Sequence, residues 1–271
     1  ADVPVVCGTP DLLSAVVGSG AVEPFATHLT ISTTAWIGAR VPFKKTDILH
    51  SIATVPGLDN DFPVVANNHE TGGAALRWLK EQVLPDQTYD ELIARAEAAP
   101  AGSEGVLFTP WLNGERSPVD DKDVRASFLN ISLRTDQAAM VRAVMEGVAF
   151  NARWLFDYYE KFLGRRVPSV RIIGGGAQSD LWCELHAYAL QRPVERPADP
   201  RDAQLKGVAA WARVCLGELS LAEAGRQAVV TDTFSPDGPD AATYAALYDE
   251  FRRLYSALRR TSRRLARVTG A

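Results

Sequence analysis

"VRIIGGGAQSDLW", residues 170–182, decides how this chain is read. An apolar run stops on three glycines, and after a Ser-Asp pair the pattern resumes with helical spacing. The stretch predicts a strand over 170–173, a turn at Gly174, Gly175 and Gly176, and a helix over 180–190. Such a turn leaves backbone N–H groups bare, and the helix behind it carries a partial positive charge at its start. Together these suit a phosphate or a nucleotide. The spacing is not GxGxxG, because Ser179 stands where the last glycine would be, and the turn comes late in the chain. A dinucleotide-dependent oxidoreductase is therefore disfavoured. Taken alone, the turn is equally well explained as a strand-to-helix connection with no ligand.

On the C-terminal side the pattern continues with a short strand over 193–195 and a helix over 203–216. A last helix over 244–268 carries Arg252, Arg253, Arg259, Arg260, Arg263, Arg264 and Arg267. On the N-terminal side lies one long helix over 136–163, preceded by a buried strand that empties into the loop "WLNGERSP". Further back come helices over 89–98 and 70–83, the latter loosened at its first turn by Gly72 and Gly73. A strand over 62–66, a strand or tight hairpin over 28–39, a helix from Leu12 and a strand over 3–7 complete the pattern. Strands alternating with helices argue for an α/β domain.

With 271 residues and an apolar share of 46%, the chain can bury a substantial core. A net charge of -4 gives no reason to expect nucleic acid or an anionic membrane as partner. The arginines of the last helix are explained by a solvated face or by docking against another part of the protein. Cys7, Cys183 and Cys215 have neither metal-ligand spacing nor an even count, which fits a reduced, cytoplasmic setting. His28, His50, His69 and His186 lack the spacing of zinc ligands, so no metal is assigned to protein side chains. The apolar runs fall short of the roughly 18 residues of a membrane span. The chain starts on Ala1 and leads almost at once into a strand-like run, as a piece of a longer protein would.

Several stretches in order resemble the FGGY carbohydrate kinases, a family that includes xylulose, glycerol and gluconate kinases. "IIGGGAQSDLWCELHAYALQRPVERP" resembles that family's adenosine-binding segment, and "FTPWLNGERSPVDDKDVRASF" its GERxP loop. "MVRAVMEGVAFNARW" resembles the helix that follows this loop, "NHETGGAALRWLKEQV" the GGAxxWL helix, and "TFSPDGPDAATYAALYDEFRRLY" the closing segment. The resemblance covers nearly the whole chain. It implies an actin-like ATPase lobe of RNase H type, a mixed sheet flanked by helices, and the second of the family's two lobes. Residues 1–27 would be a hinge strand with the catalytic Asp segment, and residues 28–271 the ATP-binding C-terminal domain. The first lobe, with most sugar contacts, would be the partner, and the 271 residues alone would not turn over sugar. The resemblance also admits a homodimer.

The resemblance further implies transfer of the terminal phosphate of ATP, carried with Mg²⁺, to a hydroxyl of a ketose or polyol, with xylulose favoured. Asp11 in "PVVCGTPDLLSAVVG" matches the family's general base; without the resemblance, a helix cap is the simpler role for it. Thr33 and Thr34 match a hairpin that contacts the terminal phosphate, although Ser32 stands where glycine is usual. Gly73 matches a position near the nucleotide phosphates or ribose, and Arg77 lies one turn on. Gly175, Gly176 and Ala177 match backbone that covers the adenosine, and Asp180 a polar position near adenine. Glu115 and Arg116 read as an adjacent ion pair that fixes their loop.

Departures at Ser32, at Asn130 and Gln191, which replace usual glycines, and at Ala139 place the chain in a divergent branch. They support the rival reading, a non-catalytic actin-like scaffold or regulatory domain.

Overall fold

The structure, a computed structural model, describes residues 3–269. Residues 1–2 and 270–271, which end the two segments proposed from the sequence, lie outside the described residues. The first half contains α1 (Asp11–Gly18), β1 (Thr27–Ile31), β2 (Ala35–Gly38), β3 (Thr46–Asp47), β4 (Ile52–Val55) and β5 (Val64–Ala66). After these come α2 (Ala74–Trp78), α3 (Tyr89–Ala98), β6 (Leu107–Thr109), β7 (Ser127–Leu129) and α4 (Gln137–Leu163). The rest comprises β8 (Val170–Ile173), α5 (Asp180–Leu190), β9 (Val194–Pro197), α6 (Ala203–Cys215), α7 (Leu221–Arg226), β10 (Val230–Phe234) and α8 (Ala241–Thr269).

The central sheet has the order β10-β9-β8-β1-β2. Strands β1, β8 and β9 are parallel neighbours, while β2 and β10 pair antiparallel at the two ends. Side chains alternate across a strand. Leu29, Ile31, Ile37 and Ile172 therefore face one way, into the large core that α4, α5 and α8 complete. His28, Thr30 and Ile173 face the other way, where Ile173 meets Ala15 of α1 and Ala203 of α6. The result is a mixed sheet with helices on both faces.

Helices α1 and α6 cross at very close range. A Cβ added at Gly207 would lie 2.1 Å from the Ser14 carbonyl oxygen, and one added at Gly18 would lie 1.8 Å from that of Ala203. The two glycines let the helix backbones touch.

Most of the expected elements form, and the differences have physical causes. Residues 3–7 are not a strand: they have no pairing partner, and Val3 and Val5 are exposed. β-branched sequence favours a strand only where a neighbouring edge supplies hydrogen bonds. The helix expected over 70–83 begins at Ala74, because the amides of Gly72, Gly73 and Ala74 bond to the β1–β2 turn, and it ends in a π turn, Leu79–Val83. Strands β3, β4, β7 and β10 and helix α7 were not visible in the sequence pattern. Each is short, and their burial is mixed.

Asn130 and Gln191 adopt left-handed conformations, φ 63° and 53°. That is why glycine suits both places. Ser32, in contrast, is not among the residues with positive φ, so serine sits there without backbone strain.

Candidate functional site

Three local structures meet at the carboxyl ends of β1 and β8. The first is the β1–β2 turn. The Ser32 amide donates to the Thr34 carbonyl at 2.9 Å, and the Ser32 hydroxyl donates to the same oxygen at 3.3 Å. The second is the start of α2, whose amides clamp this turn: Gly73 N–H donates to the Ser32 carbonyl at 2.7 Å and Gly72 N–H to that of Thr33 at 2.9 Å. A side chain at Gly73 would place Cβ 2.6 Å from the Ser32 oxygen.

The third is the glycine hinge. Gly174 has φ 97° and ψ 178°, a region open essentially to glycine alone, and its missing Cβ would lie 2.3 Å from the Ile31 carbonyl oxygen. The chain then makes a 3-10 turn, Gly175–Gln178, before α5. The first bond of this turn is Ala177 N–H to the Gly174 carbonyl at 3.2 Å, so the amides of Gly175 and Gly176 precede it and stay available. Ser179 caps α5 by accepting from Trp182 N–H at 3.2 Å.

Between the three lies a cleft of about 700 Å³. Thr33, Gly73, Arg77, Gly175 and Gly176 line it, so the structure brings together five of the residues singled out in the sequence. Thr33 is exposed at the turn's tip, and its hydroxyl has no hydrogen bond among the described residues. Gly175 has no heavy atom within 4 Å of where its Cβ would be, so its open side is free of protein. No motif in the sequence marks Tyr89, Asp90 and Ile93, which α3 contributes to the wall of the cleft, or Arg201; Trp182, inside the stretch 170–182, also lines it. The packing of α3 against α4 puts the three α3 residues there.

The remaining candidates stand apart from this cleft. Thr34 does not line it, and its carbonyl is occupied by Ser32. Ala177 is fully buried, and its carbonyl accepts from Arg196 Nη1 at 3.2 Å and from the Cys183 thiol at 3.4 Å. Burial pushes the Cys183 thiol up to about 12, so it stays protonated and unreactive. Asp180 is turned to a neighbouring opening by an ion pair with Arg196 at 2.7 Å. Arg196 is in turn held by Asp232 at 2.9 Å.

Asp11 is the first residue of α1, with Pro10 in the cap position. Its Oδ1 accepts from the adjacent Leu12 N–H at 2.8 Å, and its carboxylate is exposed on the α1–α6 side of the sheet.

Glu115 and Arg116 do not pair through their side chains. Glu115 is buried, its Oε2 lying 3.1 Å from His69 Nδ1 and accepting from Asn151 at 2.5 Å, whereas Arg116 reaches Glu70 at 2.5 Å. The loop is thus fixed from inside, through α4. Among the described residues no cluster of three or more His, Cys, Asp or Glu is placed to hold a metal ion. Nor is any described helix long and apolar enough to cross a membrane.

A mixed sheet flanked by helices, with a glycine-lined cleft at the ends of its parallel strands, defines an actin-like ATPase lobe. The match to a described family then places it: residues 33–216 fit the "FGGY family of carbohydrate kinases, C-terminal domain", and the chain belongs to that family. It is 29% identical over 201 residues to a xylulose kinase of Staphylococcus epidermidis, covering 73% of this chain and 40% of that protein. It superposes on ligand-bound xylulose kinase from Lactobacillus acidophilus with a TM-score of 0.82 and 27% identity, over 92% of this chain and 50% of the other. Gluconate kinase from the same organism gives a TM-score of 0.84 at 26% identity, over 94% and 52%. The chain spans about half the length of the curated relatives it matches.

Proposed function

We propose that this chain is the ATP-binding half of a sugar kinase that transfers the terminal phosphoryl group of Mg·ATP to a hydroxyl of a ketose or polyol. The observation that carries this reading is the cleft itself. Thr33 stands at its tip, Gly175 and Gly176 bring bare amides to it, and Arg77, Arg201 and one acid, Asp90, share its lining. Hydroxyls, amides and guanidiniums on one concave surface suit a polyphosphate. The apolar wall of Leu76, Ile93 and Trp182 suits a base and ribose. With a single carboxylate in the cleft, the donor set fits Mg²⁺ that arrives on the nucleotide's own phosphates, where it would offset their charge.

Asp11 is the proposed general base toward the acceptor hydroxyl. Residues 1–27 would carry it, residues 28–271 would hold the nucleotide, and a further lobe of the same protein would supply most sugar contacts. Xylulose is the leading acceptor, because xylulose kinases are prominent among the relatives. A cytoplasmic protein fits the ATP pool that such chemistry draws on. The unstrained Ser32 removes one support of the scaffold reading, since the phosphate-side turn keeps an ordinary backbone with serine in place.

The test is a calorimetric titration of the 271-residue chain with Mg·ADP, with NADH as control. Saturable binding of ADP alone supports the reading. Binding of NADH alone, or of neither nucleotide to this chain and to the two-lobed protein, would overturn it.

A further inference from the structure

The 3-10 turn Pro200–Asp202 lies between two features that the proposed function treats separately, the nucleotide cleft and Asp11. On one side the Gly174 amide donates to the Pro200 carbonyl at 2.8 Å, which fastens the turn to the glycine hinge. On the other side Gln204, about one helical turn after Arg201, donates from Nε2 to the Asp11 carbonyl at 3.2 Å. Arg201 thus projects from a segment tied both to the hinge and to the start of α1. Arg201 lines the cleft with Thr33 and Gly175.

Arg201 is exposed, and among the described residues its guanidinium has neither an ion pair nor a hydrogen bond. The acids beside it in sequence do not neutralise it. Asp199 is paired with Lys206 at 2.6 Å, and Asp202 lines only the neighbouring opening, which Arg201 also borders. A lone exposed arginine is ordinary on a surface. This one shares a cleft with a second unpaired guanidinium, Arg77, held one turn beyond Gly73 on the wall across from the hinge. Asp90, the carboxylate among the residues that line the cleft, can offset only one of these two positive charges, so the cleft keeps a net pull on an anion.

We infer that Arg201 contacts the terminal phosphoryl group of the nucleotide, at the point where it passes to the acceptor. The inference rests on the nucleotide reading of the cleft. In the transfer, the acceptor oxygen forms its bond to the terminal phosphorus and the hydroxyl proton passes to Asp11. The bond from that phosphorus to the bridging oxygen breaks, and its electron pair stays on the departing diphosphate. Arg201 keeps all its protons and donates charge-assisted hydrogen bonds to the non-bridging oxygens of the moving group. Its planar fork can address two of these oxygens together, which a lysine cannot do.

The experiment titrates wild type and Arg201→Gln with Mg·ADP and with the Mg complex of a non-hydrolysable triphosphate analogue, in this chain and in the two-lobed protein. A charged hydrogen bond lost only from the triphosphate predicts roughly 10- to 100-fold weaker binding of the analogue, with ADP changed by no more than about threefold. In the two-lobed protein kcat should fall by at least that factor, the KM for sugar should hold, and Arg201→Lys should recover only part of the rate. An unchanged denaturation midpoint would show that the variant is folded. Equal losses for both nucleotides, or no loss for either, would overturn the role of Arg201 while leaving the nucleotide site standing. Failure of wild type to bind either nucleotide in both proteins would overturn the cleft reading, and the inference with it.

Discussion

Neighbouring glycines in the hinge should respond to the same substitution in opposite ways. Gly174→Ala places a methyl carbon 2.3 Å from the Ile31 carbonyl oxygen and 2.8 Å from its carbon, both in the backbone of a central strand that cannot yield cheaply. It also forces an L-residue to φ 97°, ψ 178°. Backbone strain of about 1–3 kcal/mol and overpacking of about 1–3 kcal/mol together predict a loss of roughly 2–6 kcal/mol. Such a loss is a large part of the stability of an ordinary domain.

Gly175→Ala meets no heavy atom within 4 Å and has an ordinary φ, so its stability should stay within about 0.5 kcal/mol of wild type. Its methyl group nevertheless enters the cleft where the nucleotide is proposed to bind. Mg·ADP binding should therefore weaken about tenfold or more, the equivalent of roughly 1.4 kcal/mol. Urea denaturation of both variants and calorimetric titration of Gly175→Ala make the comparison. A wild-type midpoint for Gly174→Ala would refute the close contact with β1. Undiminished nucleotide binding by Gly175→Ala would refute the idea that its open side faces the ligand.

Three further outcomes are expected. Gly207→Ala should destabilise by about 1–3 kcal/mol, because its Cβ would sit 2.1 Å from the Ser14 carbonyl oxygen at the α1–α6 crossing. Helix propensity alone would instead stabilise by about 1 kcal/mol, so the sign of the shift in urea midpoint decides. The chain should also lose stability on acidification, since burial lowers both His28 and His186 from the ordinary histidine value of about 6.5 to about 4. Both are neutral in the fold, so the unfolded chain takes up protons first. Stability is complete above about pH 6.5 and falls toward pH 4, by roughly 2 kcal/mol per histidine at pH 5, and equal urea midpoints at pH 7.5 and 5 would contradict this. Finally, Asp11→Asn in the two-lobed protein should lower turnover by about 10²- to 10⁴-fold while sparing nucleotide binding, and a variant keeping more than about a tenth of the rate would rule Asp11 out as the base.

Much of this architecture is legible along the chain. The limits of α3, α4, β8 and α5 follow from local apolar periodicity, from caps such as Thr88, Asp136 and Ser179, and from breakers such as Gly164 and the triple glycine. These are short-range effects, written in consecutive residues. The glycine hinge could be named as a candidate ligand site for the same reason, since backbone amides at a glycine turn need no distant partner to be exposed, whereas the turn at Thr33 was named only from the family resemblance.

What the local pattern cannot contain is the choice among partners far apart in sequence. Asp180 and Ala177 sit beside the hinge in sequence, yet Arg196 draws the carboxylate of one and the carbonyl of the other away from the cleft. Glu115 meets His69 and Asn151, 46 and 36 residues away, while the guanidinium of its neighbour Arg116 goes to Glu70. Residues 3–7 have strand composition and no strand beside them. Arg201, unremarkable in sequence, reaches the cleft because the Gly174 amide holds its turn. The sequence alone determined the longer helices, the central strands and the glycine hinge, because backbone geometry and periodicity are local. Only the tertiary structure decided which side chains line the cleft beside it, because burial and charge pairing depend on which distant segments the sheet brings together.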